Sequence, residues 1–153
     1  MQKPPVKPKP VNILLAEDDA DDRELFIEAF SIVDPAIKVA TVENGEKLMD
    51  HLKKTENFPD CIFLDLNMPK KNGKECLLEI KKNEKMKGIP IIIYTTSVNS
   101  KDIDETYDRG ASCFMRKPNS FKELTRLLET YITSAFSPAS PRMIKGNFVL
   151  NSR

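Results

Sequence analysis

Short apolar runs and stretches of helical period alternate along the chain. Val11 to Ala16 is apolar except for Asn12 and runs straight into Glu17, Asp18 and Asp19. From Asp21 the period changes. Leu25, Phe26, Ala29, Phe30 and Val33 share one helical face, which stops before Asp34-Pro35 because the residue preceding proline disfavours the helical region. Ile37 to Val42 alternates as a strand does and is punctuated by Glu43-Asn44-Gly45, after which Leu48, Met49 and Leu52 mark a short second helix. The run from Asp60 to Leu64 ends on a single acid, Asp65, where a strand buried on both faces must stop. Past the loop Asn67 to Gly73, a third helix shows Cys76, Leu77 and Ile80 on one face. Ile89 to Tyr94, the most apolar stretch, then leads to Thr95-Thr96-Ser97.

A fourth helix near Asn99 to Arg109 has only Ile103 and Tyr107 as apolar anchors, which predicts a lightly held element, and Gly110 suits its C-terminal cap. Cys113 to Met115 reads as a fifth strand ending at Arg116-Lys117-Pro118. The last helix opens with a capping box, Ser120 with Glu123, and carries a stripe at Phe121, Leu124, Leu127, Leu128, Tyr131 and Ile132. Five strands alternating with five helices predict an α/β fold, a doubly wound parallel sheet with helices on both faces. In such sheets ligands bind beyond the carboxyl ends of the strands. The acids, Thr95 and Lys117 all stand at those ends.

Composition narrows the picture. With 153 residues the chain is read as one domain with no room for a fused output module. Its 24 Lys and Arg against 23 Asp and Glu leave a net charge of +1, so no global field points to nucleic acid or to an anionic membrane, and neither is expected as a direct partner. No signal core and no membrane-length apolar stretch is visible, and the expected location is the cytoplasm. Cys61, Cys76 and Cys113 lie on apolar runs without metal-ligand spacing and read as reduced core thiols. Residues 1–10 form a Pro- and Lys-rich arm, 11–136 the folded domain, and 137–153 a tail that looks like a loop, in which Phe148-Val149-Leu150 could pack on the domain or on a partner. The one histidine, His51, lies on the second helix, away from the strand ends.

The chemistry gathers at the strand ends. Six acids fall within Glu17 to Glu24. Helix capping and the macrodipole account for Asp21, Asp22 and Glu24. They account less well for Glu17 and Asp18, whose mutual repulsion calls for a counter-charge, and a hard cation held through oxygen ligands would supply it. Asp65 could complete such a site and also serve as nucleophile toward a phosphoryl group, with Mg²⁺ neutralising the developing charge. Thr95 can hydrogen-bond a phosphoryl oxygen and Lys117 can set an ammonium against the same charge. Taken singly each residue is weak evidence, since a threonine ends many strands and most lysines are solvated.

These blocks resemble the receiver domains of response regulators in two-component signalling. The likeness is carried by Leu14-Leu15-Ala16-Glu17-Asp18-Asp19, by Leu64-Asp65-Leu66-Asn67-Met68-Pro69 with Gly73, by Ile89 to Thr95, and by Gly110-Ala111 followed by Lys117-Pro118, over about residues 11 to 134. It implies a flavodoxin-like strand order 2-1-3-4-5, Asp65 as phosphoacceptor, and Mg²⁺ held by Glu17, Asp18, Asp65 and the carbonyl of Asn67. It also implies Thr95 and Lys117 as phosphoryl contacts, with Phe114 at the aromatic switch position, where the plainer reading is a core phenylalanine. Two positions depart from the commonest pattern: Thr96 stands where a smaller residue is usual, and Cys113 where glycine is frequent. The Leu-Asp-Leu-Asn-Met-Pro-Lys-Lys-Asn-Gly and Tyr-Thr-Thr-Ser segments look most like stand-alone receivers paired with phytochrome-type sensor kinases.

The implied function is a single-domain switch that accepts a phosphoryl group from a histidine kinase or a histidine phosphotransfer protein and then contacts a downstream protein. Tyr107, Phe114 and the last helix would form the responding face, which in related receivers also pairs two copies as a homodimer. Two other classes compete. A degenerate receiver would act as an unphosphorylated scaffold, against which the intact site residues argue. A Mg²⁺-dependent phosphatase of the haloacid-dehalogenase type would need a second acid where this chain has Asn67, and a cap domain. The protein is therefore read as a phosphoacceptor and not as an enzyme acting on metabolites, with slow self-dephosphorylation.

Overall fold

The computed structural model describes residues 10, 12–97, 99–135 and 148–150. All of the N-terminal arm except Pro10, and the tail from 137 to 147, lie outside the described residues. The elements are β1 (Asn12–Ala16), α1 (Ala20–Val33), β2 (Lys38–Val42), α2 (Gly45–Lys54), β3 (Cys61–Leu64), α3 (Gly73–Lys82), β4 (Ile91–Thr95), α4 (Ser100–Asp108), β5 (Cys113–Arg116), α5 (Phe121–Ala135) and β6 (Val149–Leu150). All strand pairs are parallel, in the order β2-β1-β3-β4-β5-β6. The expected flavodoxin-like sheet is present, and the tail adds one short strand to it.

Each central strand is buried on both faces, and its side chains divide between two cores with a period of two. Ile13, Leu15, Cys61, Phe63, Ile92, Tyr94, Cys113 and Met115 point to one side, where Phe26, Ala29 and Phe30 of α1 and Leu124, Leu128 and Tyr131 of α5 cover them. Leu14, Ala16, Ile62, Leu64, Ile91, Ile93 and Phe114 point to the other, against Leu48, Met49 and Leu52 of α2 and Cys76, Leu77 and Ile80 of α3. Phe63 centres the first core, with the rings of Phe26, Phe30, Tyr94 and Tyr131 at 5.0, 6.0, 6.3 and 5.7 Å. Edge and tilted ring pairs of this kind add to the energy of burial. Burial pushes the Cys76 and Cys113 thiols up to about 12 and raises that of Cys61 as well, as expected of inert core cysteines.

The thin helix is α4. Its only buried residue is Thr106, whose hydroxyl donates back to the carbonyls of Asp102 (2.8 Å) and Ile103 (3.1 Å), while Ile103 and Tyr107 are partly buried. Polar contacts hold it instead: Lys74 of α3 reaches Asp102 at 2.5 Å and Glu105 at 2.7 Å. Gly110 follows with φ 97°, a backbone state open to glycine, and its N–H donates to the carbonyl of Tyr107 at 3.0 Å.

The sixth strand answers a problem of β5, whose outer edge would otherwise expose unpaired backbone groups beside an apolar groove. Phe148 is fully buried there, edge-on to Tyr107 at 5.3 Å and tilted against Phe114 at 6.2 Å. Its carbonyl accepts from the Phe114 N–H at 2.9 Å. Phe148→Ala should therefore cost about 3 kcal/mol of stability in urea unfolding, the lower end for a buried phenylalanine. Val149→Ala, on a half-buried side chain, should cost less than about 1.5 kcal/mol.

Candidate functional site

The parallel ladder continues one residue past the strands and sets the site there. The Glu17 N–H donates to Val42 O at 3.0 Å, the Asp65 N–H to Ala16 O at 3.1 Å, and the Lys117 N–H to Thr95 O at 2.8 Å. Glu17, Asp65 and Lys117 are thus held as extensions of β1, β3 and β5. Glu17 and Thr95 are fully buried and Asp65 is 4% exposed, so little solvent reaches them. Carboxylate oxygens of Glu17, Asp18 and Asp65 lie within 4.8 Å of one another.

Lys117 is the cation of the cluster. Its ammonium lies against Glu17 Oε1 and donates to Asp22 Oδ2 at 3.0 Å and to Asp65 Oδ2 at 3.4 Å. Burial works against its charge, but the Glu17 hydrogen bond and the charge of Asp65 outweigh it and hold its pKa above the ordinary lysine value. The pKa of Glu17 is raised as well, up to about 8, first by burial and then by Asp65, against the lowering effect of Lys117.

The donor set fits a hard cation. The carboxylates of Glu17, Asp18 and Asp65, one exposed and two buried, converge, and the two buried ones share the single Lys117 ammonium with Asp22. One positive charge leaves the buried acids under-compensated, a deficit that a hard cation held through their oxygens would make up. A cleft of about 630 Å³ is lined by Asp18, Leu66, Asn67, Met68 and Lys74 among others, on the side of the acids that faces the start of α3. Asn67 also donates its N–H to Asp65 Oδ1 at 3.2 Å.

The structure gathers Glu17, Asp18, Asp65, Asn67 and Lys117. It places Thr95 differently. The Thr95 hydroxyl accepts from the Ser97 N–H at 3.5 Å, and Ser97 Oγ donates to Asp102 Oδ2 at 2.6 Å, so the threonine is tied into the loop that starts α4. Phe114 is buried in the core behind it. Three contributors escaped the sequence reading. Asp22 contacts Lys117; Arg23 Nη1 donates to the carbonyls of Glu17 (2.9 Å) and Asp18 (3.0 Å), fixing the acidic loop; and Lys74 anchors Asp102. None carries a local signal, because each acts on residues distant in sequence or through the backbone.

Gly73 completes the frame. A Cβ there would sit 2.2 Å from the Asp65 carbonyl oxygen and 2.7 Å from Leu66 Cα, closer than real contacts permit. The Gly73 N–H donates to Leu66 O at 3.0 Å, so α3 begins directly beneath the acid.

A family model described as the response regulator receiver domain matches residues 13–129. Response regulator Rcp1 of Synechocystis sp. is 33% identical over 125 residues, which cover 78% of this chain and 85% of that protein. Among solved structures, the phosphorylated cyanobacterial phytochrome response regulator RcpA superposes with a TM-score of 0.76 at 33% identity, over 84% of this chain and 98% of that one. The Mn²⁺-bound form of Rcp1 gives a TM-score of 0.75 at 30% identity, over 90% and 100%.

Two outcomes test the geometry. A group whose folded pKa is raised stabilises the fold fully below its unfolded value, here 4.5, and loses that contribution as pH rises through about 8. Without divalent ions, wild type should therefore lose stability relative to Glu17→Gln between about pH 5 and about pH 9, by at most about 1.4 kcal/mol per pH unit in urea unfolding. Gly73→Ala should cost about 1–3 kcal/mol by the same measurement and shift the Asp65 and Leu66 amide resonances.

Proposed function

Because the chain belongs to the response regulator receiver domain family, we propose that it is a signalling switch that accepts a phosphoryl group on Asp65. Receiver domains take that group from histidine kinases or histidine phosphotransfer proteins, and we assign one of these as the donor here. The observation that supports the reading best is the meeting of Glu17, Asp18, Asp65 and Lys117 at the carboxyl ends of parallel strands. No helix among the described residues is long and apolar enough to cross a membrane. The receiver unit is taken as residues 11–136, with the end of the tail contributing its edge strand.

An Asp65 carboxylate oxygen attacks phosphorus, a new P–O bond forms, and the bond from phosphorus to the donor's histidine nitrogen breaks. The buried setting makes each charge near the phosphorus count for more than it would in water. Glu17, Asp18, Asp65 and Asn67 would hold Mg²⁺, which when bound neutralises charge on the transferring group. Lys117, already charged and 3.4 Å from Asp65, supplies the second positive charge. Thr95 must exchange its contact with the Ser97 N–H for a phosphoryl oxygen, and that exchange draws on the loop that Ser97 and Asp102 tie to α4.

The output follows from what is lightly held. The first turn of α4 is bound by polar contacts, and Phe114 packs against Phe148, which in turn meets Tyr107 on the last turn of α4, so a shift of Thr95 would bias α4 and Phe114 together. A downstream protein would read that face, and the chain serves as phosphoacceptor instead of acting on metabolites. With acetyl phosphate and Mg²⁺, wild type should gain the mass of one phosphoryl group, while Asp65→Asn and samples without divalent ions should gain none. A wild type that stays unmodified under these conditions sinks the reading in favour of an unphosphorylated scaffold.

A further inference from the structure

Asp22 occupies the third position of α1, where an acid normally folds back to the N–H of the capping residue. Here that N–H, of Asp19, donates to Glu17 Oε2 at 3.2 Å, and the Asp19 carboxylate accepts from the Asp22 N–H at 3.0 Å. The cap is closed without the Asp22 carboxylate. That carboxylate instead accepts from Lys117 Nζ at 3.0 Å, across the gap between α1 and the loop after β5. The same ammonium lies farther, at 3.4 Å, from Asp65. The Lys117 side chain is 10% exposed and that of Asp22 37%, so the pair stands where the cluster opens to solvent. A cavity of about 90 Å³ beside it is lined by Tyr94, Pro118 and Phe121 among others, and the Tyr94 ring centroid is 5.4 Å from the ammonium. Lys117 thus has two acid anchors on the α1 side, Glu17 and Asp22, and a looser contact with the phosphoacceptor.

Resting on the phosphoacceptor reading above, we propose that Asp22 is a positioning residue. It holds Lys117 toward the α1 side of the site, so a phosphoryl group on Asp65 draws the ammonium closer at the expense of the Asp22 contact. A lysine ammonium is a point charge on a flexible stem and can make that swing without moving the backbone. Asp22 therefore competes with the phosphoryl group for Lys117. Toward a divalent cation it acts in the opposite sense, because it draws Lys117 away from Asp65 and adds its own negative charge nearby. Loss of Asp22 exchanges cation affinity for phosphoryl affinity. A residue that merely capped the helix would move both in the same direction.

Backbone-amide NMR titrations of the full chain test this on wild type, Asp22→Asn and Asp22→Glu, first with MgCl₂ alone and then with beryllofluoride at saturating Mg²⁺. For Asp22→Asn, Mg²⁺ should bind about 2- to 5-fold more weakly and beryllofluoride about 2- to 5-fold more tightly than in wild type, the range of a partly exposed charge contact. Asp22→Glu should keep wild-type values. In a Lys117→Gln background, Asp22→Asn should gain nothing for beryllofluoride. Weakening of both ligands, no change in either, or a gain that persists without Lys117 overturns the proposal. A wild type with no Mg²⁺-dependent response to beryllofluoride removes the phosphoacceptor reading, and the role of Asp22 falls with it.

Discussion

Burial of four strands on both faces is the constraint from which the remainder follows. A strand covered above and below by helices has no room for a charge along its length, so polar chemistry can stand only at its ends. Since every strand runs in the same direction, the carboxyl ends share one edge of the sheet. The backbone ladder then carries its spacing one residue further, and Glu17, Asp65 and Lys117 inherit separations that the hydrogen bonds of β1, β3 and β5 impose. The loops need only avoid obstructing them. Gly73 does so by leaving no Cβ under the Asp65 carbonyl, and Arg23 by clasping the carbonyls of Glu17 and Asp18.

Electrostatically the edge is unfinished. One ammonium faces Glu17, Asp65 and Asp22, with Asp18 at the rim of the cleft, and the pKa of Glu17 is raised first by burial and then by the charge of Asp65. A cation held by the acids would relieve this deficit of positive charge. Under the proposed reading an anion on Asp65 would compete with Glu17 and Asp22 for the one ammonium, which a flexible lysine stem can redirect without a change in the fold around it.

The α4 side is built to a different standard. The core around Phe63 is dense with aromatic rings and belongs to α1 and α5. In contrast, α4 buries only Thr106 and relies on partly exposed ion pairs, which are individually weak. Movement is cheapest there. The end of the tail adds to this region, since Phe148 fills the space between Tyr107 and Phe114 and its carbonyl closes the edge of β5.

Local sequence determined the elements, their faces and the chemistry of their ends. Period-two and helical patterns depend on neighbours a few positions away, so Leu48, Met49 and Leu52 or Cys76, Leu77 and Ile80 declare their burial without a fold. The apolar run before Asp65 likewise announces a strand end with an acid on it. Only the tertiary structure decided the partners. Asp22 looks like any acid in a first helical turn, and nothing near it in sequence reveals a lysine 95 positions away, or that Asp19 and Glu17 have already satisfied the cap. Phe148 looks like part of a loop until the open edge of β5 gives it a partner. Interactions between sequence-distant groups depend on chain crossings that no window of residues contains, and those crossings turned a row of strand ends into one site.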